Sequence, residues 1–314
     1  MKRFDVLVVG ELNVDLILGP LDRLPVLEKE ILAKEMVLTL GSSSAIFASN
    51  LSALGNGVAF CGKIGTDSFG EQVLTSLQEK HVNCDFIIQS KEYKTGCTVA
   101  MTVGHERAMV THTGAMEELS ETEITNDMLN SAKHLHVSSV FLQPKLKPGL
   151  TSLFLRAKNF GLTTSLDPQW DPAEKWDLPL KDLLSQVDVF LPNAAELMGL
   201  TTTSNIKDGI ELLREIANTI VVKDGTNGAS CSTQNEIISQ QAFINSSPAD
   251  AIGAGDSFDV GFIHQFIRGK TPKECLRFAS LMGAVNTTAP GGTSAFENLE
   301  AVKDRAEKYF QETI

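Results

Sequence analysis

Cysteine is scarce in this chain. Cys61, Cys84, Cys97, Cys231 and Cys275 are odd in number, scattered and never spaced C-x-x-C. That argues against a disulfide frame or a zinc site and for reduced thiols in a cytoplasmic protein. Positive charge is also short: 27 Lys and Arg stand against 39 Asp and Glu, a net charge of −12. Neither nucleic acid nor an anionic membrane is therefore an expected partner. No apolar run approaches the ~20 residues that cross a bilayer. Asp5 and Glu11 interrupt the stretch that would have to follow Lys2 and Arg3 in a signal peptide. The pattern G-x-x-x-x-G-K-[ST] is absent too, which excludes an ordinary P-loop nucleotide site. With so little positive charge overall, any phosphate site has to be local, built from backbone amides, a metal ion or a few basic side chains.

What is present is ample material for a packed core: 42% hydrophobic and 21% charged residues, with 24 glycines. The length fits one large α/β unit as well as two smaller domains; the motif order below favours a single domain over 1–314. Asp5 to Gly10 is a short β-branched run ending in glycine, the pattern of a strand buried on both faces. Further strands are expected at 58–63, 134–138, 162–166, 187–191 and 219–223. Helices are expected at 42–54, from 67 onward, and at 150–160, 193–198, 208–217, 255–268, 272–286 and 298–310. Strands alternating with helices predict a doubly wound, mostly parallel α/β sheet flanked by helices. Two stretches break the rhythm. Residues 30–40 and 97–111 alternate like strands with no helix between, and Gly104-His-Glu-Arg107 reads as a hairpin turn. They predict a separate small β-sheet, a lid drawn from about 12–40 and 93–115. Its edge of unpaired backbone groups is the expected surface for a homodimer.

The segment richest in chemistry is Asp250-Ala-Ile-Gly-Ala-Gly-Asp256, running into the helical Ser257-Phe-Asp-Val-Gly. Small residues at Gly253, Ala254 and Gly255 let amides approach an anion, and a helix start adds partial positive charge. Asp256 at the rim is placed to accept a proton from an attacking hydroxyl. A bland reading, a glycine turn with an aspartate cap, competes with this one on the segment alone.

This segment resembles the D-T-x-G-A-G-D signature of the ribokinase-like (PfkB) carbohydrate kinases, and other motifs follow in family order from about residue 4 to 296. Gly10-Glu-Leu-Asn13-Val-Asp15 is similar to the family's first strand. Gly41 to Gly55 followed by Cys61-Gly-Lys-Ile-Gly65-Thr-Asp67-Ser-Phe-Gly70 is similar to its N-terminal signature. Pro192-Asn193-Ala-Ala-Glu196, Val222-Lys-Asp-Gly225-Thr-Asn-Gly228-Ala and Ala289-Pro-Gly-Gly292 match its magnesium element and two nucleotide loops. The resemblance implies an ATP-dependent sugar kinase using Mg2+. Asp256 would be the general base and residues 253–255 the anion hole. Asn13, Asp15, Gly41 and Ser42 would face the sugar, and Lys223, Gly225 and Gly228 the ATP. Asn193 and Glu196 would hold magnesium through water. A potassium ion would take Asp250, Ile252, Asn286, Ala289 and Gly291 as ligands.

Each carried-over role has an ordinary counterpart: Asn193 with Glu196 is also a capping box, Lys223 also a loop lysine, Asp15 also a turn cap. His134 and His136 alternate on one strand, more in the manner of core histidines than of a metal pair. Departures from the family bear on specificity. Ser42 stands at a lid hinge where glycine is usual, which predicts a stiffer hinge. Ile46 stands where an asparagine commonly touches the sugar, so one polar contact is lost or replaced. Ser43 replaces a ribokinase-type lysine. Asp171 stands where many sugar-acid kinases carry arginine, which favours a neutral sugar. Ile46 and Phe47 leave a nucleoside kinase as an alternative; a non-catalytic sugar-binding regulator is another, disfavoured by the intact Asp256.

Overall fold

A computed structural model of the chain describes residues 2–104 and 106–314; His105, in the expected hairpin turn, lies outside them. The strands in chain order are β1 (Phe4–Val9), β2 (Asn13–Leu21), β3 (Glu35–Leu40), β4 (Val58–Gly65), β5 (Asn83–Ser90), β6 (Gly96–Val103), β7 (Glu106–His112), β8 (Ala132–Ser138), β9 (Thr163–Asp167), β10 (Val189–Phe190), β11 (Thr219–Lys223), β12 (Ala229–Thr233) and β13 (Ile237–Gln240). The helices are α1 (Ser43–Ala53), α2 (Ser68–Glu79), α3 (Asn126–Asn130), α4 (Leu150–Asn159), α5 (Leu180–Leu184), α6 (Ala194–Thr201), α7 (Ile206–Leu213), α8 (Ala254–Phe266), α9 (Pro272–Asn286) and α10 (Leu299–Phe310).

Nine strands form one sheet in the order β13-β12-β11-β10-β9-β8-β1-β4-β5, and four form a second in the order β3-β2-β6-β7. In the large sheet β12 and β13 run antiparallel and the remaining pairings are parallel. The α/β expectation therefore holds. Strand β1 shows why: with side chains alternating, Val6 and Val8 enter one core while Leu7 and Val9 enter the other. The first core takes its helical side chains from α1, α2, α8, α9 and α10; the second takes them from α3, α4, α5, α6 and α7. Both faces are thus covered.

The antiparallel tail β12–β13 and the edge strand β5 were not expected. Ala229 to Thr233 is small and polar, with no apolar alternation to mark a strand; pairing with β11 alone makes it one. In the small sheet β2 pairs antiparallel with β3 and parallel with β6, and β7 returns antiparallel along β6. No described helix is long and apolar enough to cross a membrane.

Candidate active site

Two strand ends and one helix start supply the principal side chains. Gly253 precedes α8 at φ 75, a left-handed conformation that favours glycine, and a Cβ there would lie 2.6 Å from the Gly292 Cα. That close approach brings the 289–292 loop onto the α8 start. Among the described residues, the Gly255 and Asp256 amides donate to no protein acceptor, so the first turn presents free N–H groups as an anion site requires. Asp250 ties the loops together: its carboxylate accepts from Ala251 N at 2.6 Å, Ile252 N at 2.8 Å and Gly291 N at 3.2 Å.

Asp256 is buried in the first turn of α8. Burial, and then the charge of Asp167, push its carboxyl up to about 6, against the pull of Lys223, Ser43 and Gln169. It is ionised at neutral pH and remains a usable base. Gln169 was not singled out from sequence. Its Nε2 donates at 3.0 Å to Asp256 Oδ1 and at 2.7 Å to Asp167 Oδ2. Asp167 ends β9, and a carboxylate at the C-terminal end of a parallel strand is a signal that sequence reading could have used.

Lys223, at the end of β11, is neither a solvated loop residue nor a free ATP contact. Its ammonium donates to Asp167 Oδ2 at 2.9 Å and to both Asp259 oxygens at 3.0 and 3.1 Å. Burial alone would lower its pKa, but the Asp167 and Asp259 charges raise it. Burial is the largest influence on Asp167 and raises it, yet the Lys223 charge, hydrogen bonding with Asp259 and Lys223, and His136 together keep its pKa lowered. Asp259, one turn beyond Asp256 on α8, was also missed; a charge inside an apolar helical run was the available clue.

Asn193 caps α6 in a reciprocal box: its Oδ1 accepts from Glu196 N at 2.9 Å, and Glu196 Oε2 accepts from Asn193 N at 2.8 Å. The capping geometry is real and does not preclude a second task. Burial, then the charges of Asp167 and Asp256, push the Glu196 carboxyl up to about 7 despite Lys223. Such unrelieved negative potential suits a hydrated divalent cation. Among the described residues no three His, Cys, Asp or Glu cluster as a protein-only metal cage. Magnesium is usually held by one or two carboxylates plus phosphates and keeps several waters, and Glu196 offers one such carboxylate. The expected potassium ligands fit less well: Asp250 carries three N–H donors, and the Ile252 carbonyl accepts from Asn286 Nδ2 at 2.5 Å.

A cavity of about 350 Å3 runs beside the α8 start. Lys223, Gly225 and Gly228 line it together with Ala254 and Gly255, and Phe243 and Ala284 are among its apolar walls. Residues expected to hold nucleotide and residues expected to hold its transferred phosphate thus border one space.

On the other side, Asn13 Nδ2 donates to Asp15 Oδ1 at 3.2 Å and to Thr98 Oγ1 at 2.9 Å. Burial pushes the Asp15 carboxyl up to about 6 against Asn13 and the Arg107 charge. Gly41 abuts this pair: a Cβ there would lie 2.3 Å from Asp15 Oδ1. Two residues on, the Ser43 side chain lies near enough to Asp256 to lower its pKa. Asp15 and Asp256 therefore flank the same tripeptide, Gly41 to Ser43.

Ser42, between them, holds φ 70, where glycine is at ease. Its hydroxyl donates to Glu11 O at 2.6 Å and accepts from Ala45 N at 2.9 Å, capping α1. Glu11 is a further residue sequence reading passed over. Buried at 2% exposure, it accepts from Ser44 N at 3.2 Å and from the Ser44 hydroxyl. Burial pushes its carboxyl up to about 7. Ile46 packs against the phosphate loops, where a Cβ on Gly292 would lie 2.4 Å from its Cδ1. Phe47 is in the core, stacked on His136 at 3.7 Å, so it cannot serve as a platform for a nucleoside base. His134 and His136 share Ser165 through bonds of 2.7 and 2.8 Å and are kept neutral by burial, as core histidines. Asp171 is buried and accepts from the amides of Ala173, Lys175 and Trp176.

A family model described as pfkB family carbohydrate kinase matches residues 3–299. The 2-dehydro-3-deoxygluconokinase of Bacillus subtilis is 27% identical over 266 residues, 80% of this chain and 82% of the relative. Among solved structures, Arabidopsis thaliana ribokinase with ribose and ATP superposes with a TM-score of 0.84 at 23% identity, covering 97% of this chain and 99% of that one. A ribokinase-II-type protein of E. coli, crystallised with ATP and Mg2+, gives 0.84 at 22% identity over 97% and 99%. The fold is ribokinase-like, and the relatives are phosphotransferases that act on sugars. With the family model running from β1 to the start of α10, the chain belongs to the pfkB family of carbohydrate kinases, enzymes that phosphorylate sugars or nucleosides.

Proposed function

We propose that this chain transfers the γ-phosphoryl group of ATP to a hydroxyl of a small, neutral sugar. The supporting observation is the shared cavity: Ala254 and Gly255, at the start of α8, border the same space as Lys223, Gly225 and Gly228. Asp256 follows directly. ATP lies in the apolar cavity, and the free amides at the α8 start receive the γ-phosphoryl oxygens. Asn13 and Asp15 orient the sugar against Gly41 and Ser42. Asp256 takes the hydroxyl proton as the oxygen attacks, and the transferred group leaves ADP in line. Asn193 and Glu196 would hold magnesium through water, and the ion would supply positive charge to the phosphates. No step is routed through potassium; equal rates in potassium and in a bulky organic cation would remove that ion altogether.

The small sheet acts as the lid. Met36, Val37, Leu38, Met109 and Val110 are exposed on it, and a second copy of the chain pairing there would cover them. Sedimentation of the wild-type chain tests this; a monomer at all concentrations ends the idea. With its thiols unpaired, we place the enzyme in the cytoplasm.

A second reading, a sugar acid as acceptor, has one observation in its favour: the Arg107 charge acts on Asp15. ADP release with D-ribose, D-fructose, adenosine and 2-dehydro-3-deoxygluconate separates the readings. Turnover of a neutral sugar alone supports the proposal, turnover of the acid alone replaces it, and no turnover with any acceptor counts against catalysis.

A further inference from the structure

Gln169 does something that neither the family motifs nor the fold requires. Its side-chain amide is inserted between two buried carboxylates, with Nε2 3.0 Å from Asp256 Oδ1 and 2.7 Å from Asp167 Oδ2. Its backbone N–H donates to the other Asp167 oxygen at 3.2 Å. The residue reaches this position at φ 58, a left-handed conformation that a non-glycine residue keeps only where its surroundings enforce it. The surroundings do enforce it. Asp171, two residues later, accepts from the amides of Ala173, Lys175 and Trp176 at 2.7–2.9 Å. Trp176 in turn packs over Gly199, where a Cβ would lie 2.4 Å from the indole. A segment held this firmly, with a strained residue aimed at a carboxylate, has the form of a preorganised support.

We propose that Gln169 is the positioning residue of the proton acceptor: it fixes the orientation of the Asp256 carboxylate and favours its charged form. This rests on the reading of Asp256 as the base. Without Gln169, Asp256 and Asp167 would face each other across the gap with no donor between them. The other groups acting on Asp256 pull in both directions. Asp167 at the end of β9 and Glu196 on α6 disfavour its charge, while Lys223 at the end of β11 and the nearby Ser43 hydroxyl at the start of α1 favour it. Lys223 is engaged by Asp167 and Asp259, and among the described residues Gln169 is the side chain that donates a hydrogen bond to the base. The chain of contacts Lys223–Asp167–Gln169–Asp256 also runs from a wall of the nucleotide cavity to the base.

The test uses Gln169→Gly, because glycine accepts a positive φ without strain and removes only the side chain. Purely structural reasoning predicts unchanged or improved stability and no change in chemistry. The proposal predicts an unfolding temperature at or above the parent's together with an Asp256 pKa raised by about one unit, the scale of one hydrogen bond to a charged group. Carboxyl 13C NMR titration of the free enzyme reads that pKa without any acceptor, with Asp256→Asn assigning the resonance. With the acceptor found by the ADP-release screen, the acid limb of kcat should move up by the same amount and kcat fall about tenfold, with KM little changed. Gln169→Glu, which adds a third carboxylate, should move the limb further. An Asp256 pKa in Gln169→Gly equal to the parent's overturns the inference. Turnover by Asp256→Asn at the parental rate would instead overturn the base assignment itself, so the two failures are distinguishable.

Discussion

The two sheets are built from similarly apolar strands and yet end in opposite situations. In the large sheet β1 sends alternate residues into two cores, and Val6, Leu7, Val8 and Val9 have no exposure. In the small sheet Met36, Val37 and Leu38 on β3 and Met109 and Val110 on β7 remain in solvent. The first is clamped between helix layers; the second has a layer on one side at most. A clamped sheet can hold Asp167 and Lys223 at its strand ends to fixed positions, which phosphoryl transfer needs. A sheet with an open face is free to shift or to pair. The Gly41–Ser43 tripeptide, which follows β3 and opens α1, lies where the two meet.

That contrast can be broken from either side. The largest expected effect is on the rigid side: Asp256→Asn should keep ATP binding near parental, by calorimetry, while kcat falls about 10²–10⁴-fold. Parental turnover would remove the base. Next, Lys223→Met leaves Asp167 and Asp259 buried without their cation, and removing one partner of a buried ion pair costs about 3–5 kcal/mol. Urea unfolding should show this loss, and a midpoint equal to the parent's would mean the pair contributes nothing.

Glu11, at the hinge, gives a pH-dependent prediction. Its carboxyl is pushed from 4.5 to about 7 in the folded chain, so the native state holds the proton longer than the unfolded one. Its contribution is therefore complete below about pH 4.5 and is lost as pH rises through about 7. Glu11→Gln lacks this loss, so its stability relative to the parent should improve by about 3 kcal/mol between those limits. A pH-independent difference would show that Glu11 does not titrate in this window. The smallest effect belongs to the open sheet. Val110→Lys should leave unfolding within about 0.5 kcal/mol of the parent, and it should abolish any self-association seen by sedimentation. Self-association that survives the charge would place the dimer elsewhere.

Most of the large sheet was legible in advance because a strand buried on both faces is a β-branched run, and because helix-like stretches separate one such run from the next. The strand β12 was not, since its residues are strand-like only beside β11. Within the site, glycines at 253 and 255 and the aspartate at 256 were visible as a local pattern. Gln169 was invisible, because an amide in a loop has no periodicity and its significance comes from two carboxylates at other points in the chain. Phe47 shows the limit of a motif position: the sequence left it beside a possible acceptor, and the fold stacks it on His136, while Ile46 lies against Gly253 and Gly292.

The sequence by itself determined the alternation of elements, the glycine-softened start of α8 and the membership in a family, all of which depend on residues close together along the chain. Only closure of the chain locks Lys223 between Asp167 and Asp259, buries Glu11 beneath the hinge and sets Gln169 between Asp167 and Asp256. Those are contacts between residues up to 87 positions apart, and the balance of burial against charge that tunes each carboxyl exists only once the chain has closed around it.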